Sequence, residues 1–468
     1  MLPNKTALNI LILVFVCLAL FLPGSLKRGL WSPDETRYIT ISKEMVDSGD
    51  WITLRRNGEI YTQKPPVFFW AISAFGLLLG GFSELSARLV SILSGTGTVI
   101  VTYIFARKLF NDNTALVSGM ILSTAIAYFA ASQMVMLDAL FTFLTVSSLY
   151  LIYTGLTDAG RRSLCYFTAF MLMALATLTK GPVGFIIPLL AMAAYAVSTR
   201  QARALLSRGT LAGFIVFLAI IASWLVPACI RGGEAYTNEL LIKQIFGRYL
   251  QAFDHKEPMY YYFYAFPGGF LPWIILLPAA CFFLVKNRAD GRAKLLACWA
   301  LSIFIFFTTS RSKNILYILP MYPAAAIVIA YYWDHERKPL KPLMISVAAI
   351  IALSASVSLF VMPHIDRLKS PKYLSSEIRE AIGPDGRLST FRINPVYWIY
   401  YCGRGHINEL DGNDKLNEYL LSKERVFCII DLSAYRDYIS SNKNHGYLLA
   451  YTPYGSRKTL GLISNRIR

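Results

Sequence analysis

The stretch ALNILILVFVCLALFLPGSLKRGLWSPDETRY, running from Ala7 to Tyr38, sets the reading of the whole chain. As far as Leu26 it is a continuous apolar run of the length a membrane-spanning helix needs, roughly 20 residues. Lys27 and Arg28 follow, and then the chain delivers Asp34 and Glu35 at the end of that span. A carboxylate pair brought to a membrane surface in this way points to a functional site. Asp34 after Pro33 reads equally as the start of a helix, and the rest of the chain has to decide between the two.

With 468 residues, 55% hydrophobic, 14% aromatic and only 16% charged, the chain has too few polar residues to cover a soluble surface. Apolar runs recur near 7–26, 86–106, 114–131, 135–154, 164–179, 183–198, 209–230, 266–285, 294–309, 314–333 and 342–362. The fold class is therefore a polytopic α-helical membrane protein of about eleven spans. No small-residue cleavage site follows the first run, so it reads as an uncleaved span. The net charge of +18 does not indicate nucleic acid, because the basic residues fall between spans. Arg107-Lys108, Arg161-Arg162, Arg200/Arg203/Arg208, Lys286/Arg288/Arg292/Lys294 and Arg337/Lys338/Lys341 occupy alternate loops, as expected of cytoplasmic loops. Loops 27–85 and 231–265, several short turns and the tail after Met362 then face outward. By composition, 1–362 is a membrane domain and 363–468 a small α/β domain. In that tail, Tyr373–Ala381 and Leu416–Leu421 read as helices, and Val426–Ile430, Tyr447–Tyr451 and Leu460–Ile463 as strands. Within the first loop, Val67–Gly81 is apolar but short for a span and reads as an interfacial or re-entrant helix.

Five cysteines, Cys17, Cys165, Cys229, Cys281 and Cys298, fall in spans as small apolar residues. Cys402 and Cys428 lie in the tail, where a disulfide and two buried thiols are both compatible with the spacing. No metal-spaced Cys or His cluster occurs, and His364, His406 and His445 are too scattered to suggest one.

The outward turns carry charges that nothing structural demands. Asp138 opens a span after Met134-Val-Met-Leu, Lys180 sits in the turn Thr179-Lys-Gly-Pro182, and Arg311 and Lys313 precede Ile315-Leu-Tyr-Ile-Leu-Pro320. With Lys64 in Tyr61-Thr-Gln-Lys-Pro-Pro66, these fixed cations imply an anionic ligand, and positioned Lys and Arg side chains clamp phosphoryl oxygens. Lys64 or Lys313 could instead snorkel to the interface with no ligand. No GxxxxGK[ST], GxGxxG or DxD is present, which disfavours nucleotides and favours a lipid phosphate. A transporter would need matched polar residues deep in the spans of inverted halves, whereas these charges gather on one face.

The set Asp34-Glu-Thr-Arg-Tyr38, Ser48-Gly-Asp-Trp51, Tyr61-x-x-Lys-Pro-Pro66, Leu137-Asp138, Thr179-Lys-Gly181 and Tyr317-Ile-Leu-Pro320 resembles, in that order, bacterial ArnT-like glycosyltransferases of the protein-mannosyltransferase superfamily. The resemblance implies a GT-C fold and an inverting glycosyltransferase in the bacterial inner membrane, with its active site facing the periplasm. The implied partners are a polyprenyl (undecaprenyl) phosphate-linked sugar and lipid A as acceptor, with another envelope glycan or a protein hydroxyl as alternatives. The best-known branch transfers 4-amino-4-deoxy-L-arabinose. The resemblance makes Asp34 the essential aspartate and Asp138 the second acidic position, with Glu35 beside them as a catalytic candidate. It places Lys64, Lys180 and Tyr317 around the donor phosphate and matches His255 to a loop histidine that ligates metal, while the polar residues of the outward face add Arg311, Lys313, Tyr61 and Arg37 as further binding candidates. Gln63 stands where the family has the accompanying glutamate, so zinc is not expected, no other cofactor is called for, and dependence on a divalent metal is left open.

Overall fold

Apolar content this high is hidden from water only in lipid or within a helix bundle, and helices dominate. The computed structural model describes residues 5–240, 256–383, 386–441, 446–455 and 458–467. Among these, eight helices are long and apolar enough to cross a membrane: Lys5–Lys27, Glu84–Leu109, Leu137–Thr157, Arg162–Lys180, Arg208–Asn238, Gly291–Thr309, Ile315–His335 and Leu340–Lys369. Two further apolar runs are bent helix pairs, Asp112–Thr124 with Ile126–Gln133 (68°) and Tyr261–Gly269 with Trp273–Lys286 (112°). The remaining run is one helix of 16 residues, Val183–Ser198, short for a crossing. About eleven runs thus resolve into eight spans, or ten if each bent pair counts as one.

A break inside a membrane frees backbone groups that lipid cannot satisfy. Here the two breaks satisfy each other. Ile126 N donates to Leu271 O at 3.2 Å, and Trp273 Nε1 donates to Thr124 Oγ1 at 2.8 Å.

Packing divides the chain into two units. One comprises residues 1–25, 62–71 and 88–355, and the other 26–61, 72–87 and 356–468. Composition suggests a boundary near 362, but by packing most of the first outward loop groups with the tail.

The second unit is built on a five-stranded mixed sheet in the order Asn408–Leu410, Arg387–Phe391, Val426–Asp431, Lys458–Ser464, Tyr447–Tyr454. The first two pairings are parallel and the last two antiparallel. Val426–Asp431 is buried on both faces, as a central strand covered on each side must be. Its alternation sends Val426, Cys428 and Ile430 to one core and Phe427 and Ile429 to another. Cys402 belongs to the core with Phe427 and Ile429, so Cys402 and Cys428 pack on opposite faces and remain free thiols. In the same unit, helix Asp34–Ser48 packs on helix Val396–Cys402. Between the short strands Arg55–Arg56 and Glu59–Ile60, Asn57 and Gly58 both take positive φ, 58° and 81°, as a tight hairpin turn demands. Asn57 then clasps both backbone groups of Ile407 at 2.8 and 3.0 Å, and Glu44 accepts from the amides of Asn57 and Gly58 at 2.8 Å each.

Candidate active site

In the first unit Asp138 occupies the first turn of helix Leu137–Thr157, and Lys180 the last turn of its packed neighbour, Arg162–Lys180. Each charge sits at the helix end whose dipole stabilises it. Gly181, at φ +92°, lets the chain reverse at once after Lys180, a conformation glycine adopts without steric cost. Lys180 donates to Asp138 in an ion pair whose side chains are only 7% and 10% exposed. The ammonium also lies 4.4 Å from the ring centroid of Tyr317 and 4.9 Å from that of Phe141. An ammonium has three N–H donors, and the pair with Asp138 uses one, so Lys180 retains capacity for an oxyanion. Asp138, Lys180 and Tyr317, expected from scattered turns, are thus brought together.

The other cations of this unit differ. Lys64 is half-buried in the irregular stretch before helix Val67–Leu78, and Arg311 is exposed. Lys313 is a correction to the expectation of a ligand-facing cation. It is 4% exposed, and its Nζ donates to the carbonyls of Ser310 (2.5 Å) and Glu257 (3.2 Å), which makes it a brace of its own turn. Burial pushes its ammonium below the usual lysine range, with the Glu257 carboxylate opposing. Tyr262 braces the same turn, its hydroxyl donating to Asn314 O at 3.2 Å. His255 lies outside the described residues. Among those described, no group of three or more His, Cys, Asp or Glu side chains gathers.

In the second unit Pro33 holds the cap position of helix Asp34–Ser48 without a side-chain capping bond, and Asp34 stands in the first turn rather than at the cap. Its carboxylate, 36% exposed, pairs with Arg37 one turn on. Arg37 Nε is itself enclosed by protein and has no hydrogen-bond partner among the described residues. Tyr61 is buried, with Arg56 lying 6.0 Å from its ring centroid.

Glu35 is the second correction. It is 0% exposed, with Arg28 donating to both of its oxygens at 2.6 and 2.9 Å and Trp31 N donating to Oε2 at 2.8 Å. The acidic pair is thus split in purpose: Glu35 fastens the loop and Asp34 is presented. A bidentate Arg–carboxylate pair supplies the geometric rigidity such a fastening needs.

Two residues near this loop escaped the sequence reading. Tyr397, from the tail, has its phenol raised by burial, with Arg37 lowering it and Asp34 raising it, which marks it as an electrostatic neighbour of both. Asp366, 2% exposed, accepts hydrogen bonds from the same loop. No local motif signals either. The Asn57-Gly58 dipeptide, by contrast, is a readable hairpin signal.

Residues 6–238 match the dolichyl-phosphate-mannose-protein mannosyltransferase family. An uncharacterized protein of Aquifex aeolicus is 31% identical over 365 residues, 76% of this chain and 72% of that protein. The undecaprenyl phosphate-alpha-4-amino-4-deoxy-L-arabinose arabinosyl transferase of Erwinia tasmaniensis is 28% identical over 389 residues, 81% of this chain and 69% of the relative. The fold is that of the crystal structure of ArnT from Cupriavidus metallidurans bound to undecaprenyl phosphate, with a TM-score of 0.85 and 22% identity over 98% of each chain. The chain belongs to the ArnT-like branch of the protein-mannosyltransferase family of membrane glycosyltransferases.

Proposed function

We propose that this glycosyltransferase moves 4-amino-4-deoxy-L-arabinose from undecaprenyl phosphate to lipid A, on the periplasmic side of the bacterial inner membrane. The names of the relatives support the sugar and the carrier. The single observation in this chain that carries the reading is the Lys180–Asp138–Tyr317 cluster. It holds a buried ammonium at the end of one helix with donors to spare, the arrangement needed to receive a lipid phosphate.

In this reading an acceptor oxygen attacks the anomeric carbon, and the bond from that carbon to the phosphate oxygen breaks. The electron pair leaves with undecaprenyl phosphate, and configuration inverts. Lys180, with Lys64 and Arg311, offsets the charge growing on the leaving phosphate, a preorganised electrostatic contribution that is often the largest in catalysis. Asp138 holds the Lys180 side chain in place until the phosphate engages it. An ionised lipid A phosphate attacks without losing a proton, and Asp34 then orients the acceptor or stabilises positive charge at the anomeric centre. A hydroxyl acceptor would instead give its proton to Asp34 as general base.

The test is to incubate the purified protein with undecaprenyl phosphate aminoarabinose and lipid A, with and without chelator, and to weigh the products by mass spectrometry. A gain of one aminopentose on lipid A supports the reading. Gain only on a glycan or protein acceptor would move the enzyme to another acceptor class.

A further inference from the structure

Asp366 lies near the C-terminal end of the last long apolar helix, in its segment Met362–Lys369 that leads into the tail, and its carboxylate is buried at 2% exposure. A buried charge of this kind persists only if it is well hydrogen-bonded. Its donors come from both sides of the second unit. Oδ1 accepts from Trp31 Nε1 at 2.8 Å, while Oδ2 accepts from Gly29 N at 3.0 Å and from Tyr373 OH at 2.9 Å. Two of the three donors thus belong to the segment that leads directly into Asp34.

The surroundings lock the same segment. Leu30 N donates to Tyr401 OH at 2.7 Å. A Cβ built on Gly29 would stand 2.3 Å from Ser370 Oγ, so any larger residue there would require Ser370 to shift. The Trp31 ring has Arg28 at 4.4 Å and Lys369 at 4.6 Å from its centroid, one cation from the loop and one from the tail. Trp31 also passes the constraint onward, because its amide donates to Glu35 Oε2 and its carbonyl accepts from Glu35 N at 3.2 Å. Asp34 lies between Trp31 and Glu35 in the chain.

We infer that Asp366 is a positioning residue: through Gly29 and Trp31 the tail domain fixes the loop that presents Asp34, so the tail is part of the catalytic apparatus rather than an appendage. The inference rests on the reading of Asp34 as the reactive carboxylate. Misplacing a reacting group by an ångström costs rate far more than affinity when the donor phosphate is held by other residues.

The test compares wild type with Asp366→Asn and Tyr373→Phe in the full-length protein. In Asp366→Asn one carboxylate oxygen gives way to an amide NH2, which cannot accept, so at least one donor is orphaned. For this variant kcat should fall about tenfold to a hundredfold. KM for the donor and the Kd of undecaprenyl phosphate should stay within about twofold of wild type. Tyr373→Phe, which deletes one donor of three, should fall in between. In Asp366→Asn, amide hydrogen exchange over residues 29–34 should quicken while the strand Val426–Asp431 keeps its protection. Wild-type kcat, unchanged loop exchange, or parallel loss of donor binding and of strand protection would each overturn the inference. The exchange readout does not depend on turnover, so a wild-type protein inactive on the donor offered would count against the proposed function while exchange still decided this point.

Discussion

The ammonium of Lys180 and the carboxylate of Asp138 form a buried ion pair that joins the end of one membrane helix to the start of its neighbour. Removing one partner of such a pair strands the other, at a cost of about 3–5 kcal/mol. Lys180→Met should therefore lower the unfolding midpoint sharply. Lys180→Met combined with Asp138→Leu should regain most of that loss, because a buried pair replaced by apolar groups is often neutral. Undecaprenyl phosphate affinity should remain weakened in both variants. A double variant that binds the carrier like wild type would remove Lys180 from the donor site.

Glu35 and Arg28 invite the opposite expectation from a catalytic pair. Since both oxygens of Glu35 are committed to Arg28 and Trp31, Glu35→Gln should cost about 2–4 kcal/mol of stability. Loss of transfer should follow loss of the folded loop. A Glu35→Gln protein with the wild-type melting temperature and no transfer would instead make Glu35 chemically active.

Tyr373 gives a pH dependence with a definite sign. Burial first, and then the hydrogen bond to Asp366, raise its phenol from 10.0 to about 12. The folded protein thus holds this proton more tightly than the unfolded chain. The stabilisation is complete below pH ~10 and is lost as pH rises through about 12. Comparing thermal midpoints across this window, wild type should fall more steeply than Tyr373→Phe. Parallel curves would mean that the Tyr373 phenol is not raised in the folded protein.

Cys402 and Cys428 face opposite cores of the tail sheet, and burial raises the Cys402 thiol to about 11. Neither thiol should react with iodoacetamide in the folded protein, since the thiolate is the nucleophile, and both should react after denaturation without reductant. A non-reduced peptide linking the two would contradict the packing.

The apolar runs were legible because lipid imposes a length and a composition on a span, while the breaks in two of them and the shortness of Val183–Ser198 were not. The turn Thr179-Lys-Gly-Pro182 was legible for a similar reason, as a charge at membrane depth has few structural excuses. In the tail, the expected strands at Val426–Ile430, Tyr447–Tyr451 and Leu460–Ile463 lie within observed strands, while Arg387–Phe391 and Asn408–Leu410 went unread. What sequence could not show was how fully each charge is occupied in the fold. Glu35 and Lys313 look like Asp34 and Lys180 in the chain, but Glu35 has both oxygens bound by Arg28 and Lys313 binds two backbone carbonyls, whereas Asp34 and Lys180 each form one ion pair. Asp366 was invisible for another reason. Its contact with Gly29 spans 337 positions, and no local pattern encodes so distant a hydrogen bond.

The central claim, that Asp34 serves glycosyl transfer rather than carrier binding or folding, is tested most directly by Asp34→Asn. The measurement is the release of undecaprenyl phosphate from its aminoarabinose conjugate, read beside the Kd of undecaprenyl phosphate for the same protein. Turnover should fall about a hundredfold to ten-thousandfold, the range for a positioned acid–base group, with carrier affinity and melting temperature unchanged. Release at the wild-type rate would contradict the account.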